Sequence, residues 1–205
     1  MIEVDHEVVV LDDDLSLLDS LGSLLTNSGF KVRLHSEAGD FFRVGVPKVP
    51  ACLLLDNHLG AGISGVQVHQ QILERGWYIP TIFLTGTWDV QLVVQTMRAG
   101  ADGFLTKPFD SRQLLSEVLL ALQRSAAGMT DQSKTAEIRA RSAALTARER
   151  EVVGLVAQGL LNKEIADKLG LALITVKIHR SRAMQKMGAG NPAELAHFAA
   201  LAGLI

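Results

Sequence analysis

Short apolar runs alternate with amphipathic stretches over the first 124 residues, and a polar residue able to do chemistry follows four of the runs. Val8-Val9-Val10-Leu11 leads into Asp12 and Asp13, and Cys52-Leu53-Leu54-Leu55 into Asp56. Ile82-Phe83-Leu84 leads into Thr85, and Phe104-Leu105 is followed two positions later by Lys107. Runs this short, β-branched or aliphatic, read as buried strands of a parallel sheet. The stretches between them predict helices over residues 15–27, 37–43, 65–75, 89–98 and 111–124, with Gly29, Gly76 and Gly100 standing where helices should stop. Five such βα units make an α/β, doubly wound, five-stranded parallel sheet of the flavodoxin-like kind, with helices on both faces. Ligands bind at the carboxyl ends of the strands in these sheets. The acids, the hydroxyl and the lysine are therefore expected to converge on one cleft.

The pattern then changes. Residues 125–143 are small and polar without an apolar stripe and read as a linker, within which 136–144 can extend a helix. From Leu145 onward only helical spacing appears. Thr146 and Glu149 form a capping box for a helix that carries Val152, Val153, Leu155 and Val156 and stops at Gly159. Asn162 is expected to cap a second helix reaching Leu169, a third spans about 174–187, and Pro192 starts a fourth that reaches about residue 202. On a helical wheel the third places Val176, His179, Ala183 and Met187 on one face. Lys177, Ile178, Ser181 and Gln185 lie opposite, flanked by Arg180 and Arg182. A helix, a short turn and a basic second helix is the helix-turn-helix plan, whose outward face meets a major groove. A plain helical interaction domain satisfies the same spacing.

Charge sharpens the division. The net charge of −2 conceals 9 Lys and Arg against 15 Asp and Glu in residues 1–124, and 11 against 7 in residues 125–205. An acidic half and a basic half suggest two modules with different partners, the basic one nucleic acid, although ordinary fluctuation between solvated faces gives such splits too. A single cysteine, Cys52, excludes an internal disulfide and fits a reducing cytoplasm. No leader pattern and no run of roughly 18 apolar residues is present, so the expected location is cytoplasmic, with no membrane partner.

The cleft residues suit phosphoryl chemistry. Asp12, Asp13 and Asp56 would repel one another unless a cation lay among them, and Mg²⁺ favours carboxylate, carbonyl and phosphate oxygens. Asp56 would attack as a carboxylate nucleophile, Lys107 would pair with it and then with phosphate, and Thr85 could turn its hydroxyl toward the product. Singly each has an ordinary explanation, such as a helix cap or a solvated lysine; together at strand ends they favour a site. Asp14 is the simplest N-cap for 15–27. The His58 imidazole is expected to face solvent, because hard Mg²⁺ prefers oxygen.

The strings VVVLDDD, CLLLD, IFLTG and Phe104-Leu-Thr-Lys-Pro-Phe109 resemble the receiver domain of two-component response regulators. That resemblance implies Asp56 as phosphoacceptor, and Asp12, Asp13, Asp56 and the backbone carbonyl of His58 as Mg²⁺ ligands. It also implies Thr85 and Phe104 as switch residues, Lys107 as the lysine that follows the phosphate, and a Lys107-Pro108 bond that is often cis. The strings Leu145-Thr-x-Arg-Glu-x-Glu-Val, Gly159-x-x-Asn-Lys-Glu-Ile-Ala166 and Thr175-Val-Lys-x-His179 resemble the LuxR-type DNA-binding domain, and the chain as a whole a regulator of the FixJ/NarL group. This second resemblance implies DNA-facing roles for Lys163, Thr175, Lys177, Ile178 and Ser181, phosphate contacts from Arg180 and Arg182, and dimerisation through the last helix.

Two departures stand out. Receivers usually carry D-x-x-M-P-x-x-x-G after the phosphoacceptor, whereas residues 56–65 are one residue longer with Gly60 in place of Pro. LuxR-type recognition helices usually open on a small polar cap, but here Leu171-Ala172-Leu173-Ile174 precedes Thr175, so the helix is expected to start late, with Leu173 as an apolar contact. Trp88 also stands close to Thr85, where smaller residues are common. The expected function is a non-enzymatic, DNA-binding transcriptional regulator. Its domains are 1–124 (receiver), 125–143 (linker) and 144–205 (DNA-binding). The implied partners are a sensor histidine kinase, a double-stranded DNA operator, a second copy on activation, and RNA polymerase. The alternative is a phosphorylation-independent DNA binder with a structural receiver. A haloacid-dehalogenase-like phosphatase fails because its second acid would fall on His58.

Overall fold

The structure, a computed structural model, describes residues 6–60, 62–86 and 100–205. The helix expected over 89–98 and Trp88 lie outside the described residues. The order is β1 (Glu7–Leu11), α1 (Leu15–Asn27), β2 (Lys31–His35), α2 (Ala38–Val44), β3 (Ala51–Asp56), β4 (His58–Leu59), β5 (Ile63–Ser64), α3 (Gly65–Glu74), β6 (Thr81–Thr85) and β7 (Gly103–Thr106). Then come α4 (Ser111–Ala143), α5 (Ala147–Ala157), α6 (Asn162–Leu169), α7 (Leu173–Met187) and α8 (Pro192–Leu201). Contacts divide the chain into two compact units, Met1–Met129 and Thr130–Ile205.

In the first unit five parallel strands run in the order β2-β1-β3-β6-β7. The two-residue period of each strand sends alternate side chains to opposite faces. Val8, Val10, Leu54, Ile82 and Leu84 pack on one side against Leu18, Leu21 and Leu25 of α1 and Leu114 and Val118 of α4. Val9, Leu11, Leu53, Leu55 and Phe83 pack on the other against Phe41 of α2 and Val68 and Ile72 of α3. Burial on both faces explains why these strands read as unbroken apolar runs. Each large side chain so buried contributes about 1.5–3 kcal/mol. Because β1 pairs with both β2 and β3, the strand order reverses beside β1, and a crevice forms at that switch point.

Asp14 caps α1, its carboxylate accepting the backbone N–H groups of Ser16 and Leu17. The segment read as a linker is helical throughout, as the second half of α4. Ala, Gln, Lys, Glu and Arg favour helix without needing an apolar stripe, and Ile138 supplies one buried anchor in the second unit. Near the middle of α4, the Ser125 hydroxyl accepts the Ala51 N–H at 3.0 Å. At Gly128 the ring of Tyr78 lies so close that a Cβ would stand 2.8 Å from its Cζ.

The second unit encloses its own core of Val152, Val153, Ile165, Val176, Ala183, Met187, Leu195 and Ala199. The Thr146–Glu149 capping box is in place. Two helix starts differ from the sequence expectation. Asn162 is the first residue of α6 rather than its cap; the Glu164 carboxylate accepts the Leu161 N–H at 2.7 Å, and the Asn162 amide oxygen is taken by Arg180. Helix α7 starts at Leu173, not a turn late, although no side chain caps it. Buried Val176 anchors the first turn, and the Ala172 carbonyl accepts from Thr175 and Val176. Leu195 and Ala199 of α8 are fully buried, with Phe198 and Ala202 packed beside them, so that stripe completes the core. Among the described residues no helix is long and apolar enough to cross a membrane.

Candidate functional site

Asp12 follows β1 and Asp56 ends β3, the two strands that flank the switch point, so the backbone itself delivers both carboxylates to the crevice. The structure brings Asp12, Asp13 and Asp56 together, one oxygen of each lying within 4.8 Å of the others. Asp12 and Asp56 are buried and Asp13 is exposed. Lys107, just after β7, reaches between the two buried acids. Its Nζ stands 2.6 Å from Asp12 Oδ2 and 2.7 Å from Asp56 Oδ1. The Lys107 N–H is also fixed at 2.7 Å from the Thr85 carbonyl, and the Lys107-Pro108 bond is cis.

Burial pushes the Asp12 carboxyl above its ordinary value, against the pull of the Lys107 ammonium and the Asp14 N–H. For Lys107, burial acts to lower the ammonium, but the hydrogen bonds and charges of Asp12 and Asp56 outweigh it and hold it above its ordinary value. The site is thus a buried acid pair bridged by one cation, with a third acid at the surface. Such a cluster of hard oxygen donors fits a divalent cation such as Mg²⁺.

The loop after Asp56 absorbs its extra residue by folding into a miniature antiparallel hairpin of β4 and β5, pairing His58 with Ser64 and Leu59 with Ile63. Strand β3 itself stops at Asp56, and the hairpin is a separate two-stranded sheet with Gly62, at φ +83°, in its turn. The hairpin is tied back to the site twice. The Gly60 N–H donates to Asp13 Oδ2 at 2.9 Å, and the His58 N–H donates to Asp56 Oδ2. Gly65 closes the loop with its N–H 2.9 Å from the Asn57 carbonyl, and a Cβ there would stand 3.0 Å from the Asn57 Cα and clash with the Asp56 carbonyl. These backbone contacts were not found by sequence reasoning, which saw only the glycines. The His58 side chain is exposed. Thr85 is fully buried at the end of β6, and Phe104 in β7 is half-buried on the α2–α3 side of the sheet. Beside the acids a cavity of about 650 Å³ opens, lined by Asp13, Leu15, Glu37, Leu59, Gly60 and Ile63 among others.

In the second unit, Val176, Ala183 and Met187 of α7 are buried, while Lys177, Ile178, Ser181, Arg182 and Gln185 are exposed. His179, placed by the wheel on the packing face, is only half-buried. Thr175 is half-buried and Lys163 of α6 exposed. Arg180 is half-buried, with its Nη1 2.7 Å from Asn162 Oδ1, a link between α6 and α7 that the wheel did not suggest.

Residues 8–119 match the family described as response regulator receiver domain, and residues 143–199 that described as bacterial regulatory proteins, luxR family. The chain is 39% identical to the transcriptional regulatory protein FixJ of Azorhizobium caulinodans, over 96% of this chain and 93% of that one. It is 37% identical to nodulation protein W of Bradyrhizobium diazoefficiens, over 96% and 86%. Among solved structures, response regulator StyR matches with a TM-score of 0.79 at 35% identity, over 96% of this chain and 98% of that one. Full-length FixJ from B. japonicum matches with a TM-score of 0.57 at 31% identity, over 97% and 98%.

Proposed function

Since the chain belongs to the FixJ/NarL group of two-component response regulators, in which a receiver is joined to a LuxR-type DNA-binding domain, we propose that this transcriptional regulator is switched by phosphorylation of Asp56. The observation that carries the reading is the bridged acid pair, in which the Asp56 carboxylate is buried and held by Lys107 on one oxygen and by the His58 N–H on the other. Residues 1–124 act as receiver and 144–205 as output.

Asp12, Asp13 and Asp56, with the His58 carbonyl, would hold Mg²⁺. When bound, that ion supplies positive charge against the incoming phosphoryl oxygens. The Asp56 carboxylate attacks phosphorus, the bond from phosphorus to the donor histidine nitrogen breaks, and an acyl phosphate forms. Lys107 keeps its bond to Asp12 and transfers its second contact from the carboxylate to a phosphoryl oxygen. Thr85 turns its hydroxyl toward another, and Phe104 moves with it. Phosphorylation then shifts the population toward a self-associating form, two copies of which bind paired half-sites on an operator. Lys163, Thr175, Lys177, Ile178 and Ser181 face the groove, Arg180 and Arg182 contact phosphates, and RNA polymerase is the downstream partner.

The test is mass spectrometry after incubation with acetyl phosphate and Mg²⁺. One added phosphate is expected on the wild type and none on Asp56→Asn. Equal labelling of the variant would overturn the assignment to Asp56, and no label on the wild type would leave the phosphorylation-independent regulator as the better reading.

A further inference from the structure

The first turn of α7 exposes apolar surface where a helix entering a polar groove has no evident need of it. Ile174 is 63% exposed, Leu173 44% and Ile178 45%. Ile174 and Ile178 stand one turn apart on the same side of the helix as Lys177 and Ser181. No acidic residue occurs between 171 and 190, whereas Lys177, Arg180, Arg182 and Lys186 do. Apolar side chains on a helix whose charged residues are all cationic fit a polyanion that itself displays apolar spots. Duplex DNA is such a polyanion: its major groove presents one apolar group, the 5-methyl of thymine, beside the donors and acceptors of the base edges. The N-terminal part of a recognition helix is also the part that approaches those edges.

We propose that the first turn of α7 extends the base-reading face, with Ile174 selecting thymine through its 5-methyl group, one helical turn before Ile178. Leu173 shields that contact from water. The inference rests on the DNA-binding reading above and deepens it, because it names the group read and the residue that reads it. The missing polar cap at Ala172 then has a use: a capping hydroxyl or carboxylate would hold water where a methyl must enter.

The experiment uses the full chain after incubation with acetyl phosphate and Mg²⁺. A randomised duplex pool is put through rounds of selection, and each thymine of the enriched duplex is replaced in turn by deoxyuridine, which lacks only the methyl. At one thymine or more per half-site, affinity should fall about fourfold, the factor that corresponds to burying one methyl group. Ile174→Ser should bind the thymine and uracil duplexes alike at that position, while Ile174→Val, which keeps a branched apolar contact, should keep most of the discrimination. Wild-type affinities that do not change on uracil substitution overturn the proposal and leave DNA binding standing. Discrimination that survives in Ile174→Ser also overturns it and marks the exposed turn as a protein-contact surface. Failure of the pool to enrich any duplex removes both the proposal and the reading beneath it.

Discussion

Replacing Lys107 by Met removes the only cation seen between two buried carboxylates among the described residues, while leaving a side chain of similar length. The Asp12 and Asp56 side chains are 1% and 7% exposed and that of Lys107 is 25% exposed. Breaking a buried pair in this way costs about 3–5 kcal/mol; the partial exposure of Lys107 lets water in, so the lower end, about 3 kcal/mol, is expected. For a unit of this size that loss is a fall of about 10 °C in melting temperature. The sign with pH follows from Asp12. Its carboxyl already stands above its ordinary value, and without the lysine it rises further. A carboxyl whose folded-state value exceeds its unfolded value holds its proton more tightly when folded, so the penalty eases as pH falls from 8 to 5. Added Mg²⁺ at about ten times its Kd stabilises the wild type by about 1.4 kcal/mol, and should stabilise the variant by more, because two carboxylates then lack their organic cation. Both tryptophans, Trp77 and Trp88, lie in the receiver half, so melts followed by tryptophan fluorescence, in EDTA and in Mg²⁺, report on that unit. A variant that melts with the wild type in EDTA, or gains no more than it from Mg²⁺, refutes the reasoning.

Other perturbations follow from other contacts. Glu149, bonded at 2.6 Å to Lys186 and at 2.8 Å to the Thr146 N–H, has its carboxyl held down to about 2 by those partners. A folded-state value below the unfolded one gives stability that is present above about pH 5 and lost as pH falls toward 2. Lys186→Met should therefore cost about 2 kcal/mol at pH 7, with the difference narrowing below pH 5 in urea titrations followed by circular dichroism. Gly128→Ala should destabilise by about 1–2 kcal/mol, because its Cβ meets the Tyr78 ring; in a Tyr78→Ala background the same change should stabilise by about 0.5–1 kcal/mol, the ordinary gain of alanine over glycine in a helix. Lys177→Ala should cost about 1–3 kcal/mol at the selected duplex and relax preference at one base pair if it reads a base. If it touches only phosphate, affinity should fall for every sequence and the salt slope should shrink by about one unit; unchanged binding at all salt concentrations would remove α7 as the reading helix.

The sheet was legible because every central strand is buried on both faces and so has no polar residue to interrupt it, as in Val8 to Leu11. The placement of Asp12, Asp56 and Lys107 was legible for a related reason: strand ends are where polarity resumes. What stayed hidden was whatever depends on backbone groups or on distant partners. Gly60 and Gly65 were visible as glycines, but not the N–H that reaches Asp13 or the Cβ-sized gap that Asn57 forbids. Helix α4 was cut short at residue 124 because stripe counting needs buried neighbours, while residues 125–143 are held helical mainly by their own backbone preference. Asn162 looked like a cap because its type suits one; only the folded chain brings Arg180 to it.

Strand β3 is buried along its whole length and paired on both sides, and it ends at Asp56; after Asn57 the chain enters a hairpin with only two residues in each arm. The Asp56 carboxylate therefore sits at a boundary between a fully buried, doubly paired strand and a short hairpin of the kind that opens locally at small cost. Its floor is rigid and its rim is soft. Changes in the length or sequence of the rim leave the Asp56 carboxylate where the strand puts it. The extra residue at 56–65 is an instance: editing the hairpin alone changes access to the carboxylate, without redesigning the sheet that aims it.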